Sequence, residues 1–226
     1  MIKDDKRIRL FIGHYGSGKS EVSLNYVTKL REEVEGEVAL ADIDVVNVYF
    51  RSREKRELMK NLGITPIDSS IKTTTLDLPA ISAEIMRPIH DETVNYVLDV
   101  GGDNVGGKVV GRFAEQFKSE DYDMFYVINA NREKTQTAQE VLEYIDAIEA
   151  TSKLKVTGLV NNTHMLKQTT VEDVLKGQEV AMEVSKIRNI PIKYISCLES
   201  IVDKLPPNLE GEILPIKLYL REEWMM

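Results

Sequence analysis

Apolar residues in this chain gather into short runs, and between the runs they recur every three or four positions. The runs fall at 8–12, 38–43, 64–67, 94–98, 124–128, 156–160 and 192–195. A short, nearly continuous apolar run bounded by polar residues reads as a strand buried on both faces. Helical spacing begins at position 20, where Val22, Tyr26 and Leu30 fall on one face, and returns over 52–62, 79–89, 109–118, 135–150, 171–190 and 209–224. Strands alternating with helices predict an α/β fold: a mostly parallel central sheet with helices on both faces, three layers in all. Such sheets carry ligand-binding loops at the carboxyl ends of their strands. No repeat, low-complexity segment or linker divides the chain, so 1–226 reads as a single domain, with Pro206-Pro207 marking a break before the last helix.

The loop after the first run is Gly13-His14-Tyr15-Gly16-Ser17-Gly18-Lys19-Ser20, which meets the phosphate-loop pattern G-x-x-x-x-G-K-[ST]. Its backbone N–H groups would wrap a polyphosphate, the Lys19 ammonium would face the β- and γ-phosphates, and the Ser20 hydroxyl would reach Mg²⁺. A strand before the loop and a helix after it aim a helix N-terminus at the anion. The chain is therefore expected to have a P-loop NTPase fold, with residues 13–21, Glu21 included, around the nucleotide.

Carboxylates stand where other strands end. The second run closes on Asp42 and Asp44, which alternate along the strand and so share a side. They either reach Mg²⁺ and an attacking water or cap the loop. The fourth run closes on Asp99, the position of a metal-holding aspartate, and glycines and Asp103 follow. Asp103 either orients the attacking water or caps the next helix. The expected roles are Ser20, Asp42 and Asp99 toward the metal, and Lys19, Asp44 and Asp103 toward catalysis.

Asn161 and Asn162 end the sixth run and are expected at the base edge. GTP-specific proteins place an aspartate three residues after such an asparagine. His164 occupies that slot here and is not an equivalent acceptor, which favours adenine. ATP and Mg²⁺ are thus the expected ligands.

Composition narrows the field. A formal net charge of −8 gives no general basis for holding nucleic acid. The N-terminus lacks a signal-type apolar stretch and no window spans a membrane, so a cytoplasmic protein is expected. Cys197, the one cysteine, cannot hold an iron–sulfur cluster alone, and His14, His90 and His164 lack metal-ligand spacing.

The phosphate loop, Asp42-Ile43-Asp44 and Asp99-Val100-Gly101-Gly102-Asp103 together resemble the MinD/ParA/nitrogenase-iron-protein class of ATPases, a CobQ/CobB/MinD/ParA-type domain, over essentially the whole chain. The resemblance implies Asp99 in the Mg²⁺ shell, Asp103 as the switch carboxylate, Asp44 near the attacking water and Asn161 on adenine. Two positions depart from that class. Its second lysine, which reaches across a dimer, is His14 here, followed by Tyr15, and its cluster cysteine is Gly106. The likeness leaves a homodimer and an unidentified protein partner open and implies no cluster. The tail from 214 resembles a membrane-seeking helix only weakly, since Pro215 interrupts it and Glu222 and Glu223 offset Lys217 and Arg221.

These readings converge on a Mg²⁺-dependent ATPase acting as a nucleotide-controlled switch or accessory factor, with 47–53 and 101–107 as moving segments. No residue is clearly identifiable as an arginine finger; Arg51 and Arg53 are candidates only. Two alternatives stay open. One is an ATP-dependent ligase or kinase similar to dethiobiotin synthetase, its second substrate near 73–77 or near Lys108 and Arg112. The other is a sensor that binds ATP and barely cleaves it.

Overall fold

A computed structural model describes residues 1–43, 55–68, 83–102, 104–112, 114–117 and 121–220. Its strands are β1 (Ile8–Ile12), β2 (Val38–Asp42), β3 (Thr65–Asp68), β4 (Asn95–Asp99), β5 (Tyr122–Ile128), β6 (Gly158–Asn161), β7 (Ile192–Leu198) and β8 (Glu212–Ile216). They form one eight-stranded sheet in the order β3-β2-β4-β1-β5-β6-β7-β8. Every neighbouring pair runs parallel. The helices are α1 (Lys19–Glu33), α2 (Arg56–Asn61), α3 (Ala83–His90), α4 (Asn104–Gly111), α5 (Ala138–Ser152) and α6 (Val171–Arg188).

Side-chain alternation divides the core into two layers. Phe11, Leu40, Val97 and Val127 pack with Val22, Tyr26 and Leu30 of α1 and Met59 of α2. From the other faces of the same strands, Leu10, Ala41, Leu98 and Ile128 pack with Ile85 of α3, Val110 of α4, Ile145 of α5 and Val184 of α6. Strands covered on both sides have no solvent face, which is why their sequences read as runs rather than alternations. The expected three layers are present.

Local chemistry sets the helix starts. Thr137 and Glu140 form a reciprocal capping box at α5, and Thr170 and Asp173 do the same at α6. α1 starts differently: Gly18 precedes it at φ +82°, a left-handed backbone, and no side chain caps the turn. A helix start without a side-chain cap is a place where an anion can bind.

Two expectations are corrected. No helix forms over the described part of 209–224; Glu212–Ile216 is β8, parallel to β7 on the sheet edge. Pro215 disfavours a helix but is tolerated on an edge strand, and Leu214 and Ile216 bury themselves in the α1 layer. The helix expected over 109–118 starts instead at Asn104 and ends at Gly111, with a short 3-10 turn at Ala114–Gln116. Its glycines weaken helix propensity, so the pattern hid it. They are there for contact: a Cβ on Gly107 or Gly111 would come within 2.3 Å of Thr151 Oγ1 or 2.6 Å of the Thr151 carbonyl on α5. Among the described residues, no helix is long and apolar enough to cross a membrane.

Candidate functional site

β1 lies in the middle of the sheet, between β4 and β5, and residues 13–18 leave its carboxyl end to enter α1. The chain fills the β4 side first and the β5 side afterwards, so this is the switch point where α/β sheets hold ligands. The loop closes with Ser17 N–H donating to the His14 carbonyl at 3.0 Å. Gly16 and Gly18 take φ of +81° and +82°. Gly13 is glycine for space: a Cβ there would lie 2.5 Å from the Val127 carbonyl oxygen.

Strands on both sides brace the loop. Asn162 Nδ2 donates to the Ser17 carbonyl at 2.7 Å, and Ser196 Oγ of β7 donates to Asn162 Oδ1 at 2.7 Å. Asn129, just beyond β5, donates to the Gly16 carbonyl at 3.4 Å while its Oδ1 accepts the His164 N–H. On the β4 side, the Gly102 backbone lies directly on the loop, where a Cβ would fall 2.0 Å from the Gly13 carbonyl oxygen.

A cavity of about 380 Å³ opens over the loop and the start of α1. Gly16, Gly18, Lys19 and Ser20 line it together with an apolar wall of Leu198, Ile216, Leu218 and Leu220. Asn162, His164, Ser196 and Arg132 add polar edges. Glu21 and Asn25 on α1 hold the wall in place: the Glu21 carboxylate accepts the N–H groups of Tyr219 and Leu220, and Asn25 exchanges two hydrogen bonds with Lys217. Cys197 also lines the cavity, and burial pushes its thiol up to about 11.

A second cavity of about 630 Å³ lies beyond the tip of the loop. His14, Tyr15 and Gly102 meet Lys134, Glu143 and Tyr144 there. The His14 ring packs edge-on against Tyr144, centroids 4.6 Å apart. Burial, with the nearby charges of Lys134 and Lys19, holds the His14 imidazole below its ordinary value.

The expected carboxylates separate into two groups. Asp42 and Asp99 are paired residues on neighbouring strands, both buried, and each follows by two positions a side chain packed in the α1 layer. They therefore face the side of the sheet on which Lys19 and Ser20 lie. Asp44 and Asp103 lie outside the described residues, as do Arg51, Arg53 and 73–77. Lys108 and Arg112 are exposed near the end of α4 and line neither cavity. Asn161 is placed away from the cavity: its Nδ2 donates to the Val174 carbonyl and Gln178 Oε1, and its Oδ1 accepts the Thr163 N–H. Asn162 takes the cavity side. The sequence reading missed Asn129, Arg132, Lys134 and Ser196; the strand-end rule, applied also to β5, points to Asn129 alone.

No protein-family model and no curated protein matches the chain. Solved structures do resemble it. The signal recognition particle receptor FtsY from Elizabethkingia anophelis superposes with a TM-score of 0.54 at 17% identity, covering 95% of this chain and 63% of that one. The cell division protein FtsY from Thermotoga maritima gives 0.55 at 18% identity, over 85% and 62%. A nucleotide-binding protein from Archaeoglobus fulgidus, solved in complex with ADP, gives 0.50 at 16% identity, over 95% and 84%. This chain thus spans a little under two thirds of the length of those FtsY structures. The fold is that of the P-loop NTPases, a three-layer α/β sandwich around a parallel sheet.

Proposed function

We propose that this chain binds ATP with Mg²⁺ at residues 13–21 and hydrolyses it, working in the cytoplasm as a nucleotide-controlled switch or accessory factor built on one nucleotide-binding domain. The observation that carries the reading is the uncapped start of α1, its Lys19 and Ser20 lining a cavity that also has an apolar wall. That arrangement suits a polyphosphate at one end and a flat base at the other. The ADP-bound relative supports an adenine nucleotide, while an FtsY structure solved with GDP keeps guanine in view. In favour of adenine, His164 rather than a carboxylate lies at the polar edge.

Ser20, Asp42 and Asp99 suit Mg²⁺: all three offer oxygen, and Asp42 and Asp99 face the α1 side together. When bound, Mg²⁺ supplies charge neutralisation to the phosphates. Lys19 adds a fixed ammonium, the loop N–H groups orient the chain of phosphates, and Asp44 and Asp103 are proposed to place the attacking water. The MinD/ParA likeness remains part of this proposal, as does a homodimer.

Calorimetric titration with MgATP, MgGTP and MgADP tests the reading. Adenine nucleotides should bind at least ten times more tightly than GTP, and Lys19→Ala should abolish ATP binding. A flat ATP isotherm on folded wild-type protein overturns it. The cavity beside His14 favours one second reading, an ATP-dependent ligase or kinase, because it offers an acceptor space next to the loop. Phosphate release without an added metabolite supports the switch; strict dependence on one supports the transferase.

A further inference from the structure

We infer that the segment between β5 and α5 supplies, within the same chain, two cations to the bound triphosphate: Arg132 from one side of the loop and Lys134 from the other. The inference rests on the nucleotide reading above and deepens it, because position 14 of the loop carries a buried-side imidazole rather than an ammonium group.

Arg132 is draped over the loop. A Cβ on Gly16 would meet Arg132 Nε at 3.3 Å and Cδ at 3.4 Å, and Arg132 lines the same cavity as Lys19 and Ser20. Lys134 emerges on the opposite flank, in the cavity that holds His14, Tyr15 and Gly102, near enough for its charge to bear on the His14 ring. The two cations therefore straddle the loop from a single short segment.

That segment is held to the site by side chains that are otherwise unexplained. Asn129, fully buried, ties it to the Gly16 carbonyl and to His164. The buried Thr135 hydroxyl donates to the Asn129 carbonyl at 2.8 Å, with the Arg132 carbonyl at 3.3 Å. The Ala130 N–H donates to Thr163 Oγ1, and Asn131 Nδ2 donates to Asp173 on α6. Lys134 itself sits at φ +63°. Glycine would hold this left-handed backbone more easily than lysine does.

Among the described residues, neither Arg132 nor Lys134 forms an ion pair. The carboxylates that share the Lys134 cavity are occupied: Glu140 accepts the Thr137 and Gln136 N–H groups, and Glu143 accepts Gln139 Nε2. Glu133, between the two cations, is exposed. In a chain of net charge −8, two cations on a braced segment beside the loop are placed to offset phosphates rather than a carboxylate of the chain.

The test uses the full chain and two probes, MgATP and inorganic tripolyphosphate. Arg132→Ala and Lys134→Ala should each weaken binding of both about tenfold or more. Glu133→Gln should leave both unchanged, and Arg132→Lys should restore part of the loss. Circular dichroism and unfolding midpoints confirm that these exposed-site variants fold. If Lys19→Ala weakens ATP while both cation variants bind like wild type, the inference falls and the nucleotide reading stands. If wild type binds tripolyphosphate but not ATP, and the cation variants weaken it, the inference stands and the nucleotide reading falls. If wild type binds neither probe, both fall.

Discussion

His14 shows how one residue alters what the loop can do. Its ring is partly withdrawn from water, packs on Tyr144 and has Lys134 and Lys19 nearby, so the neutral form is favoured in the folded chain. A histidine whose folded pKa lies below its unfolded value of about 6.5 contributes stability at higher pH and loses it as pH falls through the folded value. Urea unfolding at pH 7.5 and pH 5.5 should therefore show wild type losing more stability than His14→Gln. Parallel losses would mean the imidazole is as free as it is in the unfolded chain. At this scale the strand–loop–helix unit around 13–20 was legible, because its glycines answer to backbone geometry. The choice between Asn161 and Asn162 was not. Adjacent strand residues point to opposite faces, and only the position of α6 shows that Asn161 faces Val174 and Gln178 while Asn162 faces Ser17. Arg132 was illegible for a similar reason: it lies 116 residues from Gly16 in the sequence, and only the pairing of β1 with β5 brings them together.

At the scale of elements, α1 has two tasks. Its first turn faces the loop cavity, and Glu21 of that turn together with Asn25 of the next holds the wall at 217–220. Glu21→Ala should release that wall without removing any group from the phosphate cradle. We expect ATP affinity to fall several-fold while tripolyphosphate binding stays the same or improves slightly, since a carboxylate near the anion has gone. Calorimetry with both ligands checks it, and equal losses for both would place Glu21 in the cradle itself. The strands from β1 to β7 could be read from their runs because burial on both faces requires continuous apolarity. β8 could not, because an edge strand needs less of it, and a segment containing Ile213, Leu214 and Ile216 fits a helical spacing as well.

At the scale of the molecule, the parallel sheet gathers loops from β1, β4, β5, β6 and β7 at one end, and the site is their sum. A ligand bound there links segments far apart in sequence, so its binding energy should appear as stability of the whole fold. At a hundred times its dissociation constant, MgATP should add about 2.7 kcal/mol, which for a chain of this size is a rise of roughly 5–10 °C in the unfolding midpoint. Thermal scans with and without nucleotide check this, and Lys19→Ala should show no rise. Gly102 rests against Gly13 backbone to backbone. No side chain cushions it, and α4, which begins two residues later, rests through its own glycines on α5. A loop that tightens or slackens as its phosphate chain shortens would push on stiff backbone rather than on pliable side chains. On the proposed function, the surface made by α4 and α5 would then be the place where chemistry becomes displacement, and a reader of that displacement would never need to touch the nucleotide.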